Sequence, residues 1–150
     1  MDNVYLKAHE SYMRLCMDLA KIAKQRGDSP VGALIVQNGK IIGQGIEGGK
    51  TQKDITFHAE IEAIRDATKH IEKQDLSDCT LYTTHEPCIM CSYVIRHMKI
   101  PIVVTGITTG EIGGFSSHFR ILLDTTIKRW SAPPTIVKGV LEKECSALHD

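Results

Sequence analysis

Apolar residues recur with a helical period from Asn3 to Arg26. Tyr5, Ala8, Tyr12, Leu15/Cys16, Leu19 and Ile22/Ala23 fall on one face, with Lys7, Glu10, Arg14, Asp18 and Lys21 opposite. Gly27 supplies a C-cap and Pro30 forbids continuation. The pattern then becomes an unbroken apolar run, Val31 to Val36, which reads as a buried strand. Asn38-Gly39 is a hairpin turn, because both residues tolerate positive φ, and Lys40 to Gly45 returns as the second strand. Glu47 to Thr56 is polar and contains glycine, hence a loop. Helical spacing resumes from Phe57 to Glu72, with Ile61, Ile64, Ala67/Thr68 and Ile71 as the apolar stripe.

Cys79 to Thr84 reads as a third strand, and Cys88 to Met98 as a helix with Cys91, Val94/Ile95 and Met98 inward. Ile100 to Gly106 is a fourth strand, with Pro101 tolerated only at a strand start or edge. Thr108 to Ser117 is a Gly-, Thr- and Ser-rich loop, and His118 to Trp130 has helical spacing. After Pro133-Pro134 come a fifth strand, Thr135 to Val140, and a short helix, Leu141 to Leu148. The order αββαβαβ(α)βα predicts an α/β fold, a three-layer α/β/α sandwich around a central five-stranded sheet. The sheet is mixed, because its first two strands form an antiparallel hairpin.

Composition narrows the picture. A chain of 150 residues, 42% hydrophobic and 24% charged, is expected to form one domain over residues 1–150. No apolar run is long enough to span a bilayer, so no membrane partner is expected. Met1-Asp2-Asn3-Val4 lacks a basic segment followed by an apolar one, so a cytoplasmic location is expected. The 18 basic and 18 acidic residues give no overall field favouring nucleic acid. The five cysteines are odd in number and include one close pair, which argues against a disulfide framework. Cys16, Cys79 and Cys145 read as small buried hydrophobes.

The close pair carries the chemistry. Pro87-Cys88-Ile89-Met90-Cys91 sits where a strand turns into a helix. Its two thiols can share one ion, and the helix start favours the Cys88 thiolate. Catalytic zinc takes three protein ligands and leaves a fourth position for water. His58, at another predicted helix start, supplies the third, making His58, Cys88 and Cys91 the expected Zn2+ ligands. A structural zinc site would need a fourth ligand, and a redox Cys-x-x-Cys would not need His58-Ala59-Glu60 upstream. Glu60, two residues from His58, is placed to act on the water and carry its proton.

His-x-Glu followed by Pro-Cys-x-x-Cys is the pattern of zinc nucleobase deaminases. The sequence resembles the cytidine-deaminase-like superfamily, within it the clade of cytosine, guanine and bacterial tRNA adenosine deaminases. The likeness runs through Pro30–Val36, Phe57–Arg65 and Leu81–Cys91, and Lys138–Leu141 with Glu144–Leu148 resembles the C-terminal end of the tRNA branch. It implies zinc at His58, Cys88 and Cys91, proton transfer by Glu60, and a homodimer. It also implies base contacts from the Ala59 backbone N–H and the Glu86 backbone carbonyl.

Three positions depart from the clade. Ungapped alignment on His58 puts Glu47 where the clade usually has a base-contacting asparagine; otherwise Glu47 is an exposed loop residue in a shifted alignment. A carboxylate accepts hydrogen bonds without donating, which favours an N–H-rich base edge. Ser116 and Ser117 follow Gly114-Phe115 where guanine deaminases carry acids, and Phe57 precedes His58 where a small residue is common. The expected activity is hydrolytic deamination of a free nucleobase, nucleoside or related aminated heterocycle. A tRNA adenosine deaminase is the alternative. It is disfavoured because RNA binding calls for basic residues and only Lys138 and Lys143 follow Trp130. A non-catalytic zinc module would not need Glu60.

Overall fold

The computed structural model describes residues 1–150. Its elements are α1 (Asn3–Arg26), β1 (Gly32–Gln37), β2 (Lys40–Ile46), α2 (Ala59–Thr68), β3 (Cys79–His85), α3 (Ile89–His97), β4 (Ile102–Ile107), β5 (Thr135–Val137) and α4 (Glu142–Ala147). The strands form one sheet in the order β2-β1-β3-β4-β5. β1 is antiparallel to β2 and β3, while β3, β4 and β5 run parallel. Asn38 and Gly39 turn the β1–β2 hairpin with φ of 49° and 75°.

Alternation along the strands divides the core into two layers. Leu34, Val36, Tyr82 and Val104 face Met13, Cys16, Ala20, Cys145 and Leu148 on the side of α1 and α4. Ala33, Ile35, Leu81 and Val103 face Ala59, Ala63, Ala67 and Ile95 on the side of α2 and α3. This is the expected three-layer α/β/α sandwich with a five-stranded mixed sheet. Cys16, Cys79 and Cys145 are buried single thiols.

β2 receives α2 at very close range. A Cβ on Gly45 would lie 1.8 Å from the Ala59 carbonyl oxygen, and one on Gly43 would lie 2.3 Å from that of Ala63. The alanines at 59, 63 and 67 recur at i, i+4 and present the flat ridge this approach needs. The N-terminus of α2, where the predicted ligand His58 sits, is therefore fixed by backbone packing.

Several elements differ from the sequence pattern. α1 spans the expected residues but is rotated, burying His9, Met13, Cys16, Met17, Ala20 and Ala23 and leaving Tyr5, Leu15 and Ile22 exposed. Its small residues Cys16, Ala20 and Ala23 let it lie close to the sheet, which decides the face more strongly than apolar periodicity. α2 stops at Thr68, short of Glu72, and β5 stops at Val137, short of Val140. His118 to Trp130 is not an α-helix; its one helical turn is a 3-10 turn at Ile121–Leu123. Leu122 is the only buried residue of that stretch. Asp124 accepts from the Thr126 N–H at 3.2 Å, a local bond that competes with helix formation. The carbonyls of Ile121 and Asp124 are taken by the Arg96 guanidinium at 2.7 and 2.8 Å.

Candidate active site

His58 and Cys88 are the N-cap residues of α2 and α3, with extended backbone and no side-chain capping bond. Their side chains turn toward each other instead. His58 Nδ1 lies 3.4 Å from Cys88 Sγ and 3.4 Å from Cys91 Sγ. The ligand atoms of His58, Cys88 and Cys91 all lie within 4.8 Å of one another. A tetrahedral ion with bonds of about 2.3 Å to sulfur and about 2.1 Å to nitrogen sets its S and N ligands about 3.6 Å apart. The donor set therefore fits zinc in type and spacing. His58 is pushed up to about 9, chiefly by its hydrogen bond with Cys88. The Cys88 thiol is drawn down to about 4, first by Cys91 and then by His58, while Cys91 is pushed up by Cys88 and burial. Cys88 thus carries negative charge, stabilised by its neighbours and the start of α3.

Glu60 lies in the first turn of α2, buried, its carboxyl pushed up to about 8 foremost by desolvation and further by the Cys88 thiolate. A cavity of about 240 Å³ opens over this group, lined by Glu47, His58, Glu60, Glu86 and Cys88. Cys91 is buried behind it. Ala59, fully buried between His58 and Glu60, does not line the cavity. Glu47 does, half-buried, with Oε2 accepting from the Gly49 N–H at 3.1 Å. Burial pushes its carboxyl upward against the Gly49 N–H and the His58 charge.

His85, Thr109, Ile112 and His149 also line the cavity and were missed from sequence. His85 continues β3 toward the zinc turn, and strand alternation could have flagged it. Its ring meets that of His149 edge-on at 4.6 Å, and burial followed by His149 holds it down to about 4, so it is neutral at pH 7. His149 had no local signal; Lys24 Nζ anchors its segment by donating to the Leu148 and Asp150 carbonyls at 2.7 and 2.8 Å. Phe57 lies outside this cavity, under the Arg65 guanidinium at 5.6 Å, on a separate groove.

Residues 6–107 match the family model for the cytidine and deoxycytidylate deaminase zinc-binding region. The chain belongs to that family. The deaminase is 38% identical over 138 residues to a tRNA-specific adenosine deaminase of Haemophilus influenzae, covering 91% of this chain and 78% of the relative. It is 37% identical over 128 residues to the tRNA-specific adenosine deaminase of Aquifex aeolicus, covering 83% and 85%. Among solved structures it is similar to a tRNA A34 deaminase of A-to-I wobble editing, with TM-score 0.83, 28% identity and coverage of 92% and 98%. A guanine deaminase from Bacillus subtilis superposes with TM-score 0.66 at 32% identity, over 83% and 82% of the two chains. The deaminase is a zinc-dependent hydrolase of the cytidine-deaminase-like superfamily, as the His58, Cys88 and Cys91 group indicates.

These relatives correct the substrate expected from sequence. The free nucleobase or nucleoside reading gives way, because the curated relatives described above are tRNA-specific deaminases. The expectation that tRNA is disfavoured falls with it. Arg120, Lys128 and Arg129 precede Trp130 and are all exposed on the irregular segment between β4 and β5. A zero net charge is a global sum and does not report a local RNA-facing surface. No helix is long and apolar enough to cross a membrane.

Proposed function

We propose that the protein is a tRNA adenosine deaminase, converting an adenosine in a tRNA loop to inosine. The observation that carries this reading is the match at 37–38% identity, over more than four-fifths of the chain, to enzymes named for that activity. An adenine flipped into the cavity would meet the His58, Cys88 and Cys91 group at its base, with Glu60 beside it. Zinc bound there supplies Lewis-acid activation of water at neutral pH. Glu60 serves as the proton carrier. Its buried carboxyl, in the first turn of α2, lines the same cavity as His58 and Cys88. It takes one proton of the attacking water and gives it to the adenine ring nitrogen, then takes the second from the new hydroxyl and passes it to the amine, which leaves as ammonia while the carbonyl forms. The Glu86 carbonyl and Glu47, both on residues that line the cavity, orient the base edge, and the Ala59 N–H expected to join them is buried away from it. Glu47 accepts hydrogen bonds, so its partner is the exocyclic amine.

The test is ammonia release by zinc-loaded protein from an anticodon stem-loop RNA and, in parallel, from free adenine, adenosine, guanine and cytosine. The expected result is turnover of the RNA at least a hundredfold above any free base or nucleoside, in keeping with the about 10² scale of a positioned binding interaction. Turnover of a free base with none of the RNA would overturn the proposal.

A further inference from the structure

Glu86 is 1% exposed, yet no cation pairs with its carboxylate. Four donors converge on it. Oε1 accepts from the Thr109 N–H at 3.0 Å and the Ser116 hydroxyl at 2.6 Å. Oε2 accepts from the Phe115 and Ser116 N–H groups at 2.9 and 2.7 Å. Its backbone carbonyl accepts the Thr109 hydroxyl at 3.3 Å. The loop from Thr109 to Ser116 is thereby closed around one side chain of the zinc turn.

The surrounding backbone is shaped to that side chain. A Cβ on Gly113 would lie 2.3 Å from the Glu86 carboxylate, and Gly113 bridges Cys88 in a short antiparallel pairing. The Gly114 N–H donates to the Pro87 carbonyl at 2.8 Å. Thr109 and Ile112, carried by this loop, form one wall of the active-site cavity. The serines that depart from the acidic pattern of guanine deaminases also find a use here. An aspartate at 116 would set a second carboxylate against Glu86, whereas serine donates to it. Ser117 donates to the Gly113 carbonyl.

We propose that Glu86, acting with Ser116, is a positioning residue that fixes the Thr109–Ser116 loop as the wall of the substrate cavity. All four side-chain bonds run toward the carboxylate, so the isosteric amide cannot replace it: its NH2 end would face donors. The role in substrate binding rests on the RNA reading above, whereas the role in ordering the loop does not.

Two readouts separate these. In the zinc-loaded full-length protein, amide hydrogen exchange at Thr109, Phe115 and Ser116 is measured for wild type, Glu86→Gln, Ser116→Ala and Ser116→Asp. Steady-state kinetics on the anticodon stem-loop are measured on the same samples. Glu86→Gln and Ser116→Asp are expected to speed exchange at these amides and raise KM about 10- to 100-fold, the scale of a lost charge-assisted bond. Zinc content stays at wild-type level, because neither residue is a ligand. Ser116→Ala, which removes one bond from an exposed residue, is expected to raise KM about threefold to tenfold with kcat nearly unchanged. Should Glu86→Gln fail to fold, the two Ser116 variants carry the test. Wild-type exchange in Ser116→Asp overturns the clamp, as does a loss confined to kcat at unchanged KM. Inactivity of the wild type on RNA overturns the functional reading instead, and the exchange data still decide the clamp.

Discussion

His58, Cys88 and Cys91 are aimed by backbone that two helices and a sheet already hold. The stretch from Thr108 to Ser131 carries only two three-residue 3-10 turns, at Gly110–Ile112 and Ile121–Leu123, and hangs on two buried charges. Glu86 gathers N–H and hydroxyl donors from its first part. Arg96, 3% exposed, gathers the carbonyls of Ile121, Asp124 and Ser131 from its second and lies 4.8 Å over the Trp130 ring. The two regions thus separate tasks. Regular elements hold the reacting groups, where small displacements cost rate. An irregular segment, whose first part lines the cavity through Thr109 and Ile112, is stiffened by buried charged hydrogen bonds.

Substitutions that strike one region and spare the other test that division. Glu60→Gln should have the largest effect, lowering kcat by about a hundred- to ten-thousand-fold while zinc content holds. Inosine formation and metal analysis on the same sample check it. Arg96→Met strips three carbonyls of their charged donor and should cost about 4 kcal/mol of stability. Urea unfolding measures this, and zinc content should remain near wild type; release of zinc would break the division. Gly45→Ala does the converse, forcing a methyl against the Ala59 carbonyl at the start of α2. It should cost about 3 kcal/mol and weaken zinc retention against a chelator.

The smallest effect is a pH dependence. His85 is held down to about 4 in the fold and rises to about 6.5 when unfolded. As pH falls the unfolded chain binds the proton first, so this contribution to stability is present above pH 6.5 and is lost toward pH 4. Between pH 7.5 and 5 the wild type should lose about 1–2 kcal/mol more than His85→Gln in urea unfolding. Parallel curves for the two proteins would remove His85 from the account.

The same division governs what the sequence made legible. His-x-Glu and Pro-Cys-x-x-Cys are local signals at helix starts, and the sheet brings them together as expected. α1 was readable in extent but not in facing, because close packing of small residues outweighed apolar period. The irregular backbone of His118 to Trp130 is not legible locally, because its carbonyls at Ile121 and Asp124 pair with Arg96, 25 and 28 residues away. Glu86 was singled out for its backbone carbonyl, whereas its side chain organises a loop up to 30 residues ahead. Apolar periodicity carries no record of hydrogen bonds made at that range.

The most direct measurement is inosine formation in an anticodon stem-loop with a single loop adenosine, by zinc-loaded wild type and Glu60→Gln in parallel. Conversion by the wild type and conversion at least about a hundredfold slower by the variant, at equal zinc content, is the predicted result. Failure of the fully zinc-loaded wild type to form inosine, or equal conversion by both proteins, would contradict the account.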